Sequence, residues 1–348
     1  MSKNKKIIIV VLSTIIVITI IVGVILCKNN LNNQNNTDEN TFVEKGDFKS
    51  ENGNRGQGND GNMRGDGGIT SKADDLELQS ILDEVEEKFE QLEYADSETG
   101  ITLAYNLFVP DNYDANKSYP LILFMTDSSV VGKETTAALE QGYGGVIWAT
   151  EEEQAKHECF VLVPEFSTTI ANDNSEVTND VKAAVNLLNS LTKKYNIDKN
   201  RLYTTGQSMG GMTSIYLLKT YPDLFAGALL VACQWGTEGL EVLANQNIFY
   251  IVGDGDTKAS PGQDEIKEKL ENSGASISTS TWDATWSDEE FDIAVNSILE
   301  ENNNLNFVKF EEGTVLTANP VSSKEHMASF DCAYKIEGVR DWLFKQSK

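Results

Sequence analysis

Histidine is almost missing from this chain: His157 and His326 are the two it has in 348 residues. Four cysteines (Cys27, Cys159, Cys233 and Cys332) add little, because no pair of them has metal-ligand spacing. A zinc site is therefore not expected. Cys159 opens an apolar run and Cys233 closes one, so these cysteines read as buried free thiols rather than as a disulfide framework. Basic side chains are scarce as well, with 28 Lys and Arg against 54 Asp and Glu and a net charge of −26. Four of those lysines (Lys3, Lys5, Lys6 and Lys28) lie in the first 28 residues, which contain no acid. The remainder sets 24 basic against 54 acidic side chains, a surface that repels nucleic-acid phosphates and anionic lipid. No nucleic-acid partner is expected.

Large apolar residues are nearly absent between Phe48 and residue 72, where Asn, Gly and Asp dominate. Such a segment buries too little surface to offset its ordering entropy, so residues 29–72 read as a disordered linker. Residues 7–26 are the opposite, an apolar run of about twenty that at ~1.5 Å per residue spans a hydrocarbon core of ~30 Å. The lysines ahead of it favour a cytoplasmic N-terminus, with the bulk of the chain outside the cell. A cleaved signal peptide or a lipoprotein signal at Cys27 is the alternative. The missing Ala-x-Ala-like site and the bulky Leu26 favour an uncleaved anchor over 1–28, with the membrane as a partner.

Beyond the linker the pattern turns globular. Leu78, Ile81, Leu82, Val85, Phe89 and Leu92 recur at helical spacing and predict an amphipathic helix over 73–94. Residues 95–348 then alternate short apolar runs (120–125, 159–164, 225–232 and 248–252) with helical periodicity, as from Asp180 to Leu191. That alternation predicts an α/β domain with a mostly parallel, doubly wound sheet. Past Val252 the order is ambiguous, because either 277–282 or 307–310 could supply the last strand.

The most informative stretch is Gly206-Gln207-Ser208-Met209-Gly210, a Gly-x-Ser-x-Gly between a β-type run and a helical one that ends at Tyr221-Pro222. Strand, tight turn and helix within so few residues are the setting of a nucleophile elbow, where a serine Oγ stands clear of the sheet edge. A serine hydroxyl needs a base, and the base needs an acid to orient it. His157 precedes the strand before the elbow, at the wrong edge of the sheet, whereas His326 lies between the last strand and the last helix. The acid belongs in Gly253-Asp254-Gly255-Asp256, after the strand at 248–252, and Asp256 is preferred over Asp254 as the residue lying further out. The order Ser208, Asp256, His326 is then the Ser–acid–His order of α/β-hydrolases. Backbone N–H groups for an oxyanion are expected from Met209 and from Thr126, Asp127 or Ser128. Gln207, Trp282 and Trp286 are the candidate substrate-binding residues, Trp148 and Trp235 the weaker ones, and Trp342 is expected in the core.

Taken together, Tyr119-Pro-Leu-Ile-Leu-Phe124, Gly206-Gln-Ser-Met-Gly-Gly-Met212, Gly253-Asp-Gly-Asp256 and Glu325-His-Met-Ala-Ser-Phe330 resemble secreted esterases of the α/β-hydrolase superfamily. The likeness is to the polyhydroxybutyrate-depolymerase and feruloyl-esterase-like group, often labelled predicted peptidases, and covers about residues 95–348. It implies an α/β-hydrolase fold and hydrolysis of a small-molecule or polymeric carboxylic ester by Ser208, Asp256 and His326, without metal or organic cofactor. Where the family often carries His-Gly, this chain has Thr126-Asp127, and an inward-pointing carboxylate there would disfavour an oxyanion. Two other readings stand beside the esterase: a serine peptidase like the prolyl-oligopeptidase group, though without a propeller repeat, and a surface binding protein on a degenerate hydrolase fold.

Overall fold

A computed structural model describes residues 72–348. The expected anchor and the linker up to residue 71 lie outside them; among the described residues no helix is long and apolar enough to cross a membrane. The strands of the described region are β1 (Phe89–Ala95), β2 (Thr102–Phe108), β3 (Tyr119–Met125), β4 (Phe160–Glu165), β5 (Ile197–Gln207), β6 (Gly227–Val231), β7 (Ile248–Gly253), β8 (Ile277–Trp282) and β9 (Leu305–Phe310). They form one sheet in the order β1-β2-β4-β3-β5-β6-β7-β9-β8. β2 runs antiparallel to both β1 and β4, and every other pairing is parallel.

The central strands are apolar throughout because both of their faces are covered. In β3, Ile122 and Phe124 join a core with Leu78 and Leu82 of helix Leu76–Val85, and with Phe330 and Leu343 from the two last helices. Leu121, Leu123 and Met125 join the opposite core, with Leu188 of helix Asn179–Lys194 and Ile215 of helix Met209–Thr220. Alternation along a strand thus feeds two layers of helices from one run of residues.

Two expectations need correction. The predicted helix over 73–94 is a helix from Leu76 to Val85, and the chain from Phe89 onward is β1. Helical spacing and strand pairing compete here, and pairing wins because β1 closes the edge of β2 in unbroken register, from Phe89 opposite Phe108 to Ala95 opposite Thr102. Phe89 stays in the core that Val85 reaches, while Leu92 and Tyr94 pack on the other side of the sheet. The second correction concerns the last strand, since both candidates belong to the sheet. β9 inserts between β7 and β8, and helix Asp288–Leu299, opened by a Ser287–Glu290 capping box, links β8 to β9. Residues 283–304 are therefore a crossover connection between two parallel strands of the sheet. The burial explains the sequences: β9 is covered almost throughout, whereas β8, with its Ser and Thr, is the half-exposed edge.

Candidate active site

The elbow is built as its sequence suggests. β5 ends at Gln207, helix Met209–Thr220 begins at once, and Ser208 between them holds φ 50° and ψ −120°. A non-glycine residue pays strain for positive φ, of the order of ~1–3 kcal/mol, and such strain persists only where the surroundings fix it. Here they do: Ser208 N–H donates to Val231 C=O at 3.0 Å, and Met212 N–H donates to Ser208 C=O at 2.9 Å. The glycines are needed for closeness. A Cβ on Gly210 would stand 1.8 Å from Met125 O, and one on Gly206 would stand 2.5 Å from Gly210 C. The same approach brings the backbone that follows β3 directly against the elbow.

His326 opens helix Glu325–Lys335, and its ring lies between the other two residues. Its Nε2 is 2.9 Å from Ser208 Oγ, and its Nδ1 is 2.5 Å from Asp256 Oδ2. Asp256 sits in the loop after β7, where its Oδ1 accepts from the N–H groups of Lys258 and Ala259, each at 3.0 Å. Burial alone would push the Asp256 carboxyl up. The bond to His326, the charge of that ring and the two N–H donors more than offset this and hold it below the usual carboxylate range. Asp254 is employed elsewhere: its Oδ1 accepts from Ser260 Oγ at 2.9 Å and lies 3.4 Å from Lys309 Nζ.

Met209 is the first residue of its helix, so its N–H is one of the donors that a helix N-terminus leaves without an intrahelical partner. Asp127 departs from expectation. Its N–H already donates to Gln141 Oε1 at 3.0 Å, so it is no donor for an oxyanion in this arrangement. Its carboxylate accepts from Gln207 Nε2 and from Ser129 N–H, each at 2.7 Å. Gln207 correspondingly faces this buried network rather than a substrate. Thr126 is buried, while Ser128 is exposed at the start of a short 3-10 turn.

Trp282 is not a pocket residue. It is fully buried, with ring centroids 5.9 Å from Phe249 and 6.1 Å from Phe291, because the alternation of β8 turns it inward. Trp286 is half-buried and lines a cavity of about 340 Å³ with Phe291, Pro320 and Lys335, but none of Ser208, Asp256 and His326 lines that cavity. Trp148, Trp235 and Trp342 are buried. His157 pairs with Asp341 at 2.7 Å and stacks on Phe344 ahead of β4, remote in the fold from the elbow. The three described cysteines are free and buried, and burial pushes the thiols of Cys233 and Cys332 up to about 12. Among the described residues no group of acidic, histidine or cysteine side chains could hold a metal ion.

Sequence inspection missed three residues. Glu325 precedes His326, and its Oε1 accepts from Gly313 N–H at 2.5 Å. It packs so closely on the acid loop that a Cβ on Gly255 would come within 2.8 Å of its Cδ. Its place beside His326 was the signal. Gln141 gave no signal, because what it touches is remote in sequence. Glu165, at the C-terminal end of β4, is buried, and among the described residues neither of its oxygens has a hydrogen-bond partner. Burial pushes its carboxyl up to about 7, offset in part by the N–H groups of Lys133, Phe166 and Gly132, none of which reaches hydrogen-bond geometry.

A carboxyl raised in the folded state binds its proton more tightly there than in the unfolded chain. Stability therefore falls as pH rises through the window from the usual value of 4.5 to about 7. Glu165→Gln is expected to remove that loss. After discounting for solvent screening it should add about 1–2 kcal/mol at pH 8, or ~3–6 °C in Tm, and much less at pH 4. Thermal melts of both proteins at the two pH values check this.

Residues 165–235, from the end of β4 through the elbow to just past β6, match the Prolyl oligopeptidase family. A thermostable esterase superposes with TM-score 0.61 at 23% identity, over 75% of this chain and 64% of its own. This chain thus spans less than two thirds of that esterase. A ferulic acid esterase gives TM-score 0.50 at 13% identity, over 74% of this chain and 98% of its own. A Bacteroides ovatus protein assigned as a dipeptidyl aminopeptidase IV gives 0.50 at 15%, over 74% and 36%. No curated protein matches the sequence. The class is plain from strand order and superposition: the described domain has the α/β-hydrolase fold.

Proposed function

We propose that this chain is a serine hydrolase that cleaves carboxylic esters through an acyl-enzyme. The observation that carries the proposal is the unbroken chain from Ser208 Oγ to His326 Nε2 at 2.9 Å and from His326 Nδ1 to Asp256 Oδ2 at 2.5 Å. In this reading His326 Nε2 takes the Ser208 proton as Oγ attacks the ester carbonyl carbon. The resulting oxyanion is held by backbone N–H groups, that of Met209 foremost. Collapse breaks the C–O bond to the alcohol, which leaves with the proton from His326. Water, deprotonated by the same ring, then releases the acid and restores Ser208. Asp256 fixes the tautomer by accepting from Nδ1–H, and its lowered carboxyl stays charged through neutral pH.

Ester rather than amide chemistry is favoured by the names of the thermostable esterase and the ferulic acid esterase that share the fold. The peptidase reading is favoured by the Prolyl oligopeptidase match over 165–235. The N-terminal apolar run supports a membrane-tethered enzyme whose catalytic domain lies outside the cell.

The test uses the full-length chain, a fluorophosphonate probe, short p-nitrophenyl esters and peptide p-nitroanilides. The expected result is a label on the tryptic peptide containing Ser208, and ester kcat/KM at least ~100-fold above that for anilides. Faster anilide turnover would move the chain to the peptidases. A folded protein that neither labels nor turns over either substrate would end the enzyme reading.

A further inference from the structure

Three buried polar side chains from three separate segments meet behind the elbow. Asp127 follows β3, Gln141 follows the short helix Ala137–Glu140, and Gln207 immediately precedes Ser208. They are 3%, 8% and 1% exposed. Gln141 Oε1 accepts from Asp127 N–H at 3.0 Å and from Gln207 Nε2 at 3.3 Å, and Gln141 Nε2 donates to Ala138 C=O at 2.9 Å. Gln207 Nε2 also donates to Asp127 Oδ2 at 2.7 Å. Both amide orientations are dictated by their partners. A backbone N–H can only donate, so Gln141 must turn its oxygen to Asp127; a carboxylate only accepts, so Gln207 must turn its nitrogen to it.

We infer that Gln141 is a positioning residue that clamps the loop following β3 to the nucleophile elbow, and so sets where the backbone donors of that loop stand relative to Ser208. The inference rests on the serine-hydrolase reading of this site. Its physical basis is the economy of buried polar groups. Each of the three side chains is costly inside the protein unless bonded, and they bond one another just past Met125 and Gly206, the last residues paired between β3 and β5, where the ladder no longer holds the loop. Moving the loop would break several of these bonds together, so the network has one favoured arrangement. A second consequence follows for the chemistry. With the Asp127 N–H turned to Gln141, its carboxylate is drawn toward Gln207 and Ser129, so the clamp keeps both ends of this residue committed within the protein. A donor displaced by an ångström loses much of its effect on a developing charge, by about 100-fold in rate.

The deciding measurement is hydrogen exchange on the full-length wild type beside Gln141→Met, which keeps the side-chain length and deletes the bonds. The Asp127 amide is expected to be protected in the wild type and to exchange at least ten times faster in the variant. Turnover is read per active site, titrated with fluorophosphonate. Ester kcat should then fall about 10- to 100-fold, with KM within twofold and the pH midpoint of kcat/KM unmoved, because the His326–Asp256 pair is untouched. Gln141→Asn, one methylene shorter, should fall between the two. An unprotected Asp127 amide in the wild type would overturn the inference, whether or not any variant folds. So would per-site kcat within twofold of wild type, or a loss confined to KM. If the wild type hydrolyses no ester at all, the esterase reading fails, while protection of the Asp127 amide still decides whether the clamp exists.

Discussion

Ser208→Ala is expected to reduce ester turnover by about 10⁴- to 10⁶-fold and to leave the fold intact. The chemical loss is large, because among the described residues the hydroxyl hydrogen-bonded to His326 Nε2 is that of Ser208, at 2.9 Å. What survives is the oxyanion site and its binding of substrate, which alone give a small acceleration over water. The fold should tolerate the change because it removes the side-chain bond to His326 and leaves both backbone bonds, the Ser208 N–H to Val231 C=O and the Met212 N–H to Ser208 C=O. Alanine must adopt the same positive φ of 50°, a strain that serine already bears. Tm is therefore expected to stay within a few degrees, and fluorophosphonate labelling should vanish. Parallel kinetics and melts of the purified pair check both halves. Residual turnover above ~1% of wild type, with labelling retained, would place the nucleophile elsewhere.

Much of this site was legible in the sequence because its chemistry is local or nearly so. Gly206 and Gly210 flank Ser208 at a fixed spacing, and their need is steric: a Cβ on Gly210 would meet Met125 O at 1.8 Å. With two histidines in the chain, the choice of base reduced to which one follows the last strand. The parts that were not legible are those decided by partners remote in sequence. Helical spacing continues past Val85 to Phe89 and Leu92, and only the free edge of β2 decides that the chain there is a strand. Trp282 looks like a pocket aromatic until Phe249 and Phe291 are seen around it. Asp127 looked like a threat to an oxyanion, but two donors, from Gln207 and Ser129, hold its carboxylate. Between 277–282 and 307–310 a linear sequence offers a choice, whereas a sheet has room for both. In each case a partner remote in sequence decided what the local pattern left open.

The two aspartates of Gly253-Asp254-Gly255-Asp256 make the sharpest remaining contrast. Asp256→Asn is expected to lower kcat by about 10⁴-fold, and Asp254→Asn by no more than a few-fold. Asp256 Oδ2 is 2.5 Å from His326 Nδ1, and as a carboxylate it can only accept, so the ring proton is held on Nδ1 and Nε2 is left free for Ser208. An amide nitrogen at that place donates instead. The proton then moves to Nε2, and the base is lost although every atom is nearly where it was. Asp254 faces Ser260 and Lys309, at 2.9 and 3.4 Å, and its side chain is 51% exposed. Its amide can keep the Ser260 bond. Stability separates the two as well. The Asp256 carboxyl lies below the usual 3.8, so its stabilising contribution is complete above that value and is lost as pH falls through the lowered one. Asp256→Asn should accordingly be less stable than wild type at pH 7, and the difference should close as the solution is acidified below 3.8. Kinetics at neutral pH and melts across the acid range test both statements on the same proteins. The opposite ranking, with Asp254→Asn inactive and Asp256→Asn active, would reassign the acid.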